Sequence, residues 1–409
     1  MLINLSIFKR NSTFTLLFIG QFTSFFGTMM TSVALPYQIY QRTHSTLMVG
    51  LLSLFQLLPL LVTALIGGVF ADRYHRRALL LTAEALLAIG CLCLLWNASV
   101  PDAPIILLFI IATIMSAING LHRPALDSIV QQIVRKEDYT VVGSLGMFKA
   151  NFCMIAGPAI GGILLASTGL VATYFIDFLT FLVSLVALLC MGAMPRPVSE
   201  KRDISTWAAL KESFHYAKSR QELVGTYVID FVAMIFGMPT ALFPAIAAQY
   251  GTASALGLLY SAPAVGALVI SVFSGWTQQV TRHGAAIAIA AALWGVSIIF
   301  FGLVSNFYLS LFFLALAGAF DGVSGIFRST MWNETIPNQL RGRMAGIEMI
   351  SYLSGPKLGD TEAGLVAALF GVTFSIVSGG VMCVAGVLVS CYYLPTFWAY
   401  RSNVGDRVD

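Results

Sequence analysis

The segment Gly68-Val-Phe-Ala-Asp72-Arg73-Tyr-His-Arg76-Arg77 constrains this chain most, because it lies between two long apolar runs. Three arginines, a histidine and an aspartate packed so closely cannot rest in hydrocarbon. The segment must be a short loop on one face of a membrane, joining two spanning helices. Its surroundings agree. Hydrophobic residues make up 58% of the 409 and charged residues only 10%, against roughly 25% charged in a soluble domain. A water-soluble fold is excluded.

A helix needs about 20 apolar residues to cross a bilayer. Such stretches recur at 13–40, 46–71, 78–98, 104–132, 139–167, 170–194, 221–247, 253–279, 284–303, 306–335, 343–367 and 371–394. The sequence therefore predicts an all-α integral membrane protein with twelve transmembrane helices. The longest polar connection divides them into two six-helix bundles, 1–194 and 221–394, joined by a cytoplasmic loop at 195–220 and followed by a cytoplasmic tail at 395–409. With the N-terminus inside, all but five of the 23 lysines and arginines fall on cytoplasmic segments. Arg42 lies in an outer loop, and Arg123, Lys149, Arg328 and Lys357 lie within spans. The positive-inside rule places both termini in the cytoplasm.

An internal repeat predicts that the bundles are pseudo-symmetric. Ile118-Asn119-Gly120, Ile133-Val134 and Gly143 recur about 200 residues later as Phe320-Asp321-Gly322, Ile336-Pro337 and Gly346. Parallel repeats of this kind suit a carrier built from two bundles.

Charged residues within spans are costly and face the protein interior or a wet cavity. Arg123 and Asp127, four apart, share a helix face and read as an internal ion pair or a coupling site. Asp177, Asp230 and Asp321 have no sequence-local base and are candidate proton carriers; Asp321 ranks first, two turns from Arg328. Glu348, Lys357 and Asp360 crowd the eleventh span and predict a hydrated surface, with Lys357 and Asp360 spaced to pair. Gln21, Phe25 and Tyr37 on the first span could line a substrate path. Gly157-Pro158 with Gly161, and Gly355-Pro356 in the second half, read as hinges or as packing notches. In the Gly68 loop, Asp72 can bridge adjacent helix ends while Arg73, Arg76 and Arg77 meet the anionic inner surface, forming a conformational latch.

No nucleotide loop or nucleophile–base pair stands out, and the five histidines are dispersed. The six cysteines lack metal-ligand spacing. The expectation is a protein that is not an enzyme and carries no cofactor or metal. Scattered basic residues give no reason to expect nucleic acid.

At these residues the chain resembles the major facilitator superfamily. Gly68 to Arg77 matches its signature between the second and third helices, and Gly157-Pro158-Ala159-Ile160-Gly161-Gly162 resembles the fifth-helix motif of drug–proton antiporters. It is similar, more narrowly, to the enterobactin-exporter branch of bacterial efflux permeases. Asn4-Leu-Ser-Ile-Phe-Lys9, Thr43-His44-Ser45-Thr46 with Val49-Gly50, Ala71-Asp72-Arg73-Tyr74 and Gly359-Asp360 carry that likeness. The resemblance implies a monomeric transporter of the bacterial inner membrane, exchanging a small amphiphilic, siderophore-like solute for protons by alternating access. It implies latch roles for Gly68, Asp72, Arg73 and Arg77 and hinge roles for Gly157, Pro158 and Gly161. The chain departs from the pattern at Arg123, which is followed by Pro124, and at Gly275-Trp-Thr-Gln-Gln279, where the second-half latch has lost its acid. Multidrug efflux, solute import, and a non-transporting scaffold or receptor are the alternatives.

Overall fold

A computed structural model describes residues 6–73, 75–192, 214–251, 253–337 and 340–402; the side chains of 68–73, 341–343, 345–347 and 349 lie outside the description. The described residues fold into helices. After a short helix at Ser6–Arg10 come α1 (Ser12–Thr43), α2 (Thr46–Arg73), α3 (Arg76–Ser99), α4 (Ile105–Ile133), α5 (Tyr139–Ser167) and α6 (Gly169–Cys190). The second half holds α7 (Gln221–Phe236), α8 (Ala253–Val272), α9 (His283–Leu303), α10 (Phe307–Thr335), α11 (Arg341–Phe370) and α12 (Val372–Tyr393). Eleven segments are long and apolar enough to cross a membrane among the described residues. The remaining one, α11, has 30 residues but carries Glu348, Lys357, Asp360 and Glu362 along its length.

The chain forms two compact units. One comprises Met1–His44, Phe55–Glu200 and Ala247–Ser261; the other comprises Ser45–Leu54, Lys201–Ile246 and Ala262–Asp409. The units repeat one neighbour pattern. In the first, α1 packs on α5 and α6, α3 on α4 and α6, and α5 on α6; in the second, α7 packs on α11 and α12, α9 on α10 and α12, and α11 on α12. The turns repeat too. Gly169 between α5 and α6 has φ +82° and Gly371 between α11 and α12 has φ +94°, with open space around each. Backbone conformation, not crowding, demands glycine there.

Helix ends show how short connections are satisfied. Asn11 caps α1, accepting from the Phe14 N–H at 2.9 Å, and its own amide donates to the Ile133 carbonyl at 2.8 Å. Arg42 donates to the carbonyls of Asn97 (2.6 Å), Val100 (3.2 Å) and Ala103 (3.0 Å) at the end of α3. A cation on a helix C-terminus is favourable, which accounts for Arg42, expected in a loop and found in the last turn of α1.

Two spans differ from their sequence reading. The seventh, expected unbroken over 221–247, stops at Phe236 and resumes as a 3-10 turn, Thr240–Leu242, and a short helix, Phe243–Gln249. Pro239 has no N–H to extend the ladder. The freed Gly237 carbonyl accepts from Trp294 Nε1 at 3.0 Å. The eighth, expected to reach 279, ends at Val272 and continues as a 3-10 segment, Ser274–Gln279. Beyond α12, Pro395–Trp398 forms a further turn whose Phe397 is fully buried against Gly225 and Gly284.

Candidate functional site

The functional side chains fall into two clusters, one inside each unit. In the first unit, one face of α1 presents Gln21, Ser24, Thr31 and Gln38 to the interior, all buried. Gln38 donates to Asn97 at 3.0 Å and accepts from Tyr174 at 2.8 Å. Thr31 and Cys91 donate to Asp177, the latter at 3.2 Å, and Thr180 donates to its other oxygen at 3.2 Å. Asp177 is thus fully buried and hydrogen-bonded from three side chains. Gln21 Nε2 donates to Glu84 at 2.7 Å, beside His122 Nε2 at 2.9 Å from the same oxygen. Glu84 and His122 escaped the sequence reading. Glu84 was legible: a lone acid inside an apolar span meets the rule that selected Asp177.

Gln21 is therefore an internal partner of Glu84, buried among α1, α3 and α6. Phe25, half-buried on the neighbouring face, lies under the Lys149 ammonium, 6.0 Å from ring centroid to Nζ. Tyr37 is also half-buried. Arg123 and Asp127 do not form the expected ion pair: both are exposed on α4, and among the described residues no contact within 4.0 Å joins them. Four-residue spacing puts the two on one face, but both side chains extend outward. Asp127 still lies in the electrostatic reach of Arg123 and Lys149.

In the second unit Arg328 on α10 touches Asp230 on α7 and lies 3.4 Å from Asp321, two turns back on the same face of its own helix. Arg328 and Asp230 are nearly enclosed, at 12% and 13% exposure, while the Asp321 carboxyl is 41% accessible although hemmed in by protein. Glu348 is exposed and within electrostatic reach of Arg328. Asp360 joins three elements. It accepts from Ser53 at 2.7 Å, from the Ala241 N–H at 2.9 Å and from Thr240, so its carboxylate caps the 3-10 turn that follows the break in α7. Lys357, one turn away, interacts with it electrostatically.

The latch falls partly outside the described side chains, namely Gly68, Asp72 and Arg73. The other two arginines are spent on protein. Arg76 donates to the Ser128 carbonyl at 3.0 Å, and Arg77 donates to Leu188 and Leu189, both at 2.9 Å, in the last turn of α6. Leu188 and Leu189 are among the carbonyls left free at the end of α6, so Arg77 caps that helix.

The hinge motifs are close-packing surfaces. A Cβ on Gly157 would come 2.5 Å from Met29 Cβ, and one on Gly161 would come 3.0 Å from Met30 Cα, both on α1. Gly355 meets Met234 of α7 at 2.9 Å in the same sense, beside Pro356. Pro158 withdraws one donor from the carbonyl ladder of α5, and Ser261 Oγ donates to the adjacent Ile155 carbonyl at 2.7 Å. Gly162 and Gly257 bring α5 and the start of α8 into backbone contact, as Gly50 and Gly364 do for the start of α2 and α11.

Chemically, these clusters set carboxylates against hydrogen-bond donors and cations inside each unit. The family described as transmembrane secretion effector matches residues 5–404. The enterobactin exporter EntS of Citrobacter koseri is 27% identical over 390 residues, covering 95% of this chain and 93% of the exporter. EntS of Salmonella typhi is 27% identical over 396 residues, covering 95% and 94%. Among solved structures, a POT family transporter in complex with 5-aminolevulinic acid aligns with a TM-score of 0.75 at 15% identity, covering 95% of this chain and 97% of that one. The nucleoside transporter NupG aligns with a TM-score of 0.74 at 11% identity, covering 94% and 99%. At such identities the likeness establishes the fold alone.

Proposed function

The chain belongs to the transmembrane secretion effector family of major facilitator transporters, and from that premise we propose that it exports a siderophore-like amphiphilic solute in exchange for protons. It is a multi-pass membrane transport protein rather than a catalytic enzyme. Similarity to enterobactin exporters along 95% of the chain carries the solute class. The first unit supports it with chemistry: Lys149 above the Phe25 ring offers a cation beside an aromatic face, suited to a flat, anionic catechol.

In this reading both termini are cytoplasmic, the carrier works as a monomer, and the two bundles expose the solute site to each side in turn. Gly157, Pro158, Gly161, Gly355 and Pro356 are where the helices flex; Gly68, Asp72, Arg73, Arg76 and Arg77 hold one state. Protonation of one or more acids among Asp177, Asp230, Asp321 and Asp360 resets the cycle, while Arg123, Asp127, Arg328, Glu348 and Lys357 tune the field around them.

Enterobactin binding to the purified protein, followed by quenching of tryptophan fluorescence, tests the solute class. Lys149→Gln should weaken that binding about tenfold, or ~1.4 kcal/mol. Unchanged affinity would remove Lys149 from the site, and absence of binding to the wild type would reject the solute.

A further inference from the structure

Glu84 lies midway along α3 with no exposure. Its two carboxyl oxygens are used unequally. Oε1 receives Gln21 Nε2 at 2.7 Å, His122 Nε2 at 2.9 Å and Ser24 Oγ at 3.4 Å. Oε2 is buried without a hydrogen-bond partner among the described residues. A buried acceptor left unmatched is expensive, and a native structure keeps one only for cause. An added proton on Oε2 would remove the net charge without disturbing any donor on Oε1.

His122 is the partly exposed member of the pair. It is 15% exposed and precedes Arg123, whose side chain, like that of Asp127, is exposed on the same helix. With its Nε2 protonated, the imidazole donates to Oε1; as imidazolium, it forms an ion pair with Glu84 inside the bundle. The remaining charged or titratable groups around Glu84 are few. Asp177 on α6 and Lys149 on α5 lie within electrostatic reach, Cys91 on α3 is tied to Asp177, and α1 contributes only the neutral Gln21 and Ser24. Ser184 of α6 closes the far side, 3.4 Å from Gln21.

We propose that Glu84 and His122 form a proton-binding site within the first unit, with Glu84 Oε2 as the atom that takes up and releases the proton and His122 as the relay to water. Its use in solute exchange rests on the export reading above; the site itself does not.

The test is infrared difference spectroscopy of the purified full-length protein titrated across pH, which reads the protonated-carboxyl band without any solute. Wild type should show that band growing as pH falls. Glu84→Gln, nearly isosteric, should lose one component of it, and His122→Gln should shift the midpoint of that component. A Glu84→Gln spectrum retaining the whole wild-type signal would overturn the proposal. If that variant fails to fold, as judged by gel filtration, His122→Gln decides: an unmoved midpoint overturns it. Enterobactin uptake by wild-type vesicles is measured in parallel. No uptake, with the Glu84 component present, would sink the solute reading and leave the proton site standing.

Discussion

Replacing Arg328 by glutamine should be the most destabilising single change within the Arg328–Asp230–Asp321 cluster, and pairing it with Asp230→Asn should restore most of the loss. Arg328 and Asp230 touch and are both nearly enclosed, whereas Asp321 lies 3.4 Å away and reaches water. Removing one partner of a buried pair costs about 3–5 kcal/mol, because the other charge is stranded. For a unit of this size each kcal/mol moves the melting temperature by roughly 2–4 °C, so Arg328→Gln should lower it by on the order of 10 °C. Asp230→Asn leaves Arg328 with Asp321 and should cost less, about 1–3 kcal/mol. Asp321→Asn removes only a water-exposed partner and should cost about 0–1 kcal/mol. The Arg328→Gln/Asp230→Asn double variant leaves no stranded charge and should melt well above Arg328→Gln alone. Thermal unfolding of the four variants in detergent gives the whole cycle. Additive losses in the double variant, or Asp321→Asn proving worse than Asp230→Asn, would refute the assignment of Asp230 as the main partner.

Other outcomes follow from single contacts. Phe397→Ala empties a fully buried site against Gly225 and Gly284 and should cost about 3–5 kcal/mol in thermal unfolding. Gly225→Ala, which would drive a methyl into the Phe397 ring, should destabilise alone yet be tolerated in the Phe397→Ala background; additivity would show that the two do not meet. Pro158→Ala restores an N–H to α5 and should slow solute exchange while leaving affinity unchanged, and wild-type exchange rates would remove the hinge role. Burial pushes the Tyr400 phenol up to about 12, so it stays protonated through neutral pH and keeps donating to Glu334 at 3.0 Å. Tyr400→Phe should therefore lower stability equally at pH 6 and pH 9; a loss confined to pH 9 would contradict this.

Helix number was legible because the bilayer leaves a chain so few options: apolar runs of spanning length must be helices; the ends of the seventh and eighth spans were not. The repeat was legible through short matches such as Asn119-Gly120 and Asp321-Gly322, and the shared packing pattern of the two units supports the same repeat. Side-chain partners were harder to foresee. Spacing along one helix suggested Arg123 with Asp127, but both are exposed and no contact within 4.0 Å joins them among the described residues; the contact that forms, Arg328 with Asp230, crosses between helices far apart in sequence. Gly237-Met238-Pro239 could have been read as a break in the seventh span, yet nothing in the sequence says that Asp360 caps the turn beyond it. The polar face of α1, with Gln21, Ser24, Thr31 and Gln38 at helical spacing, was visible in principle. The aromatics beside it drew the substrate-path reading, which left Gln21 without its partner Glu84.

Proton-coupled uptake of enterobactin into inside-out vesicles holding the purified protein, with a cationic dye alongside, tests the central claim most directly. Enterobactin uptake should collapse when the pH gradient is dissipated, with little dye uptake. Dye uptake without enterobactin uptake, or enterobactin uptake indifferent to the gradient, would contradict it.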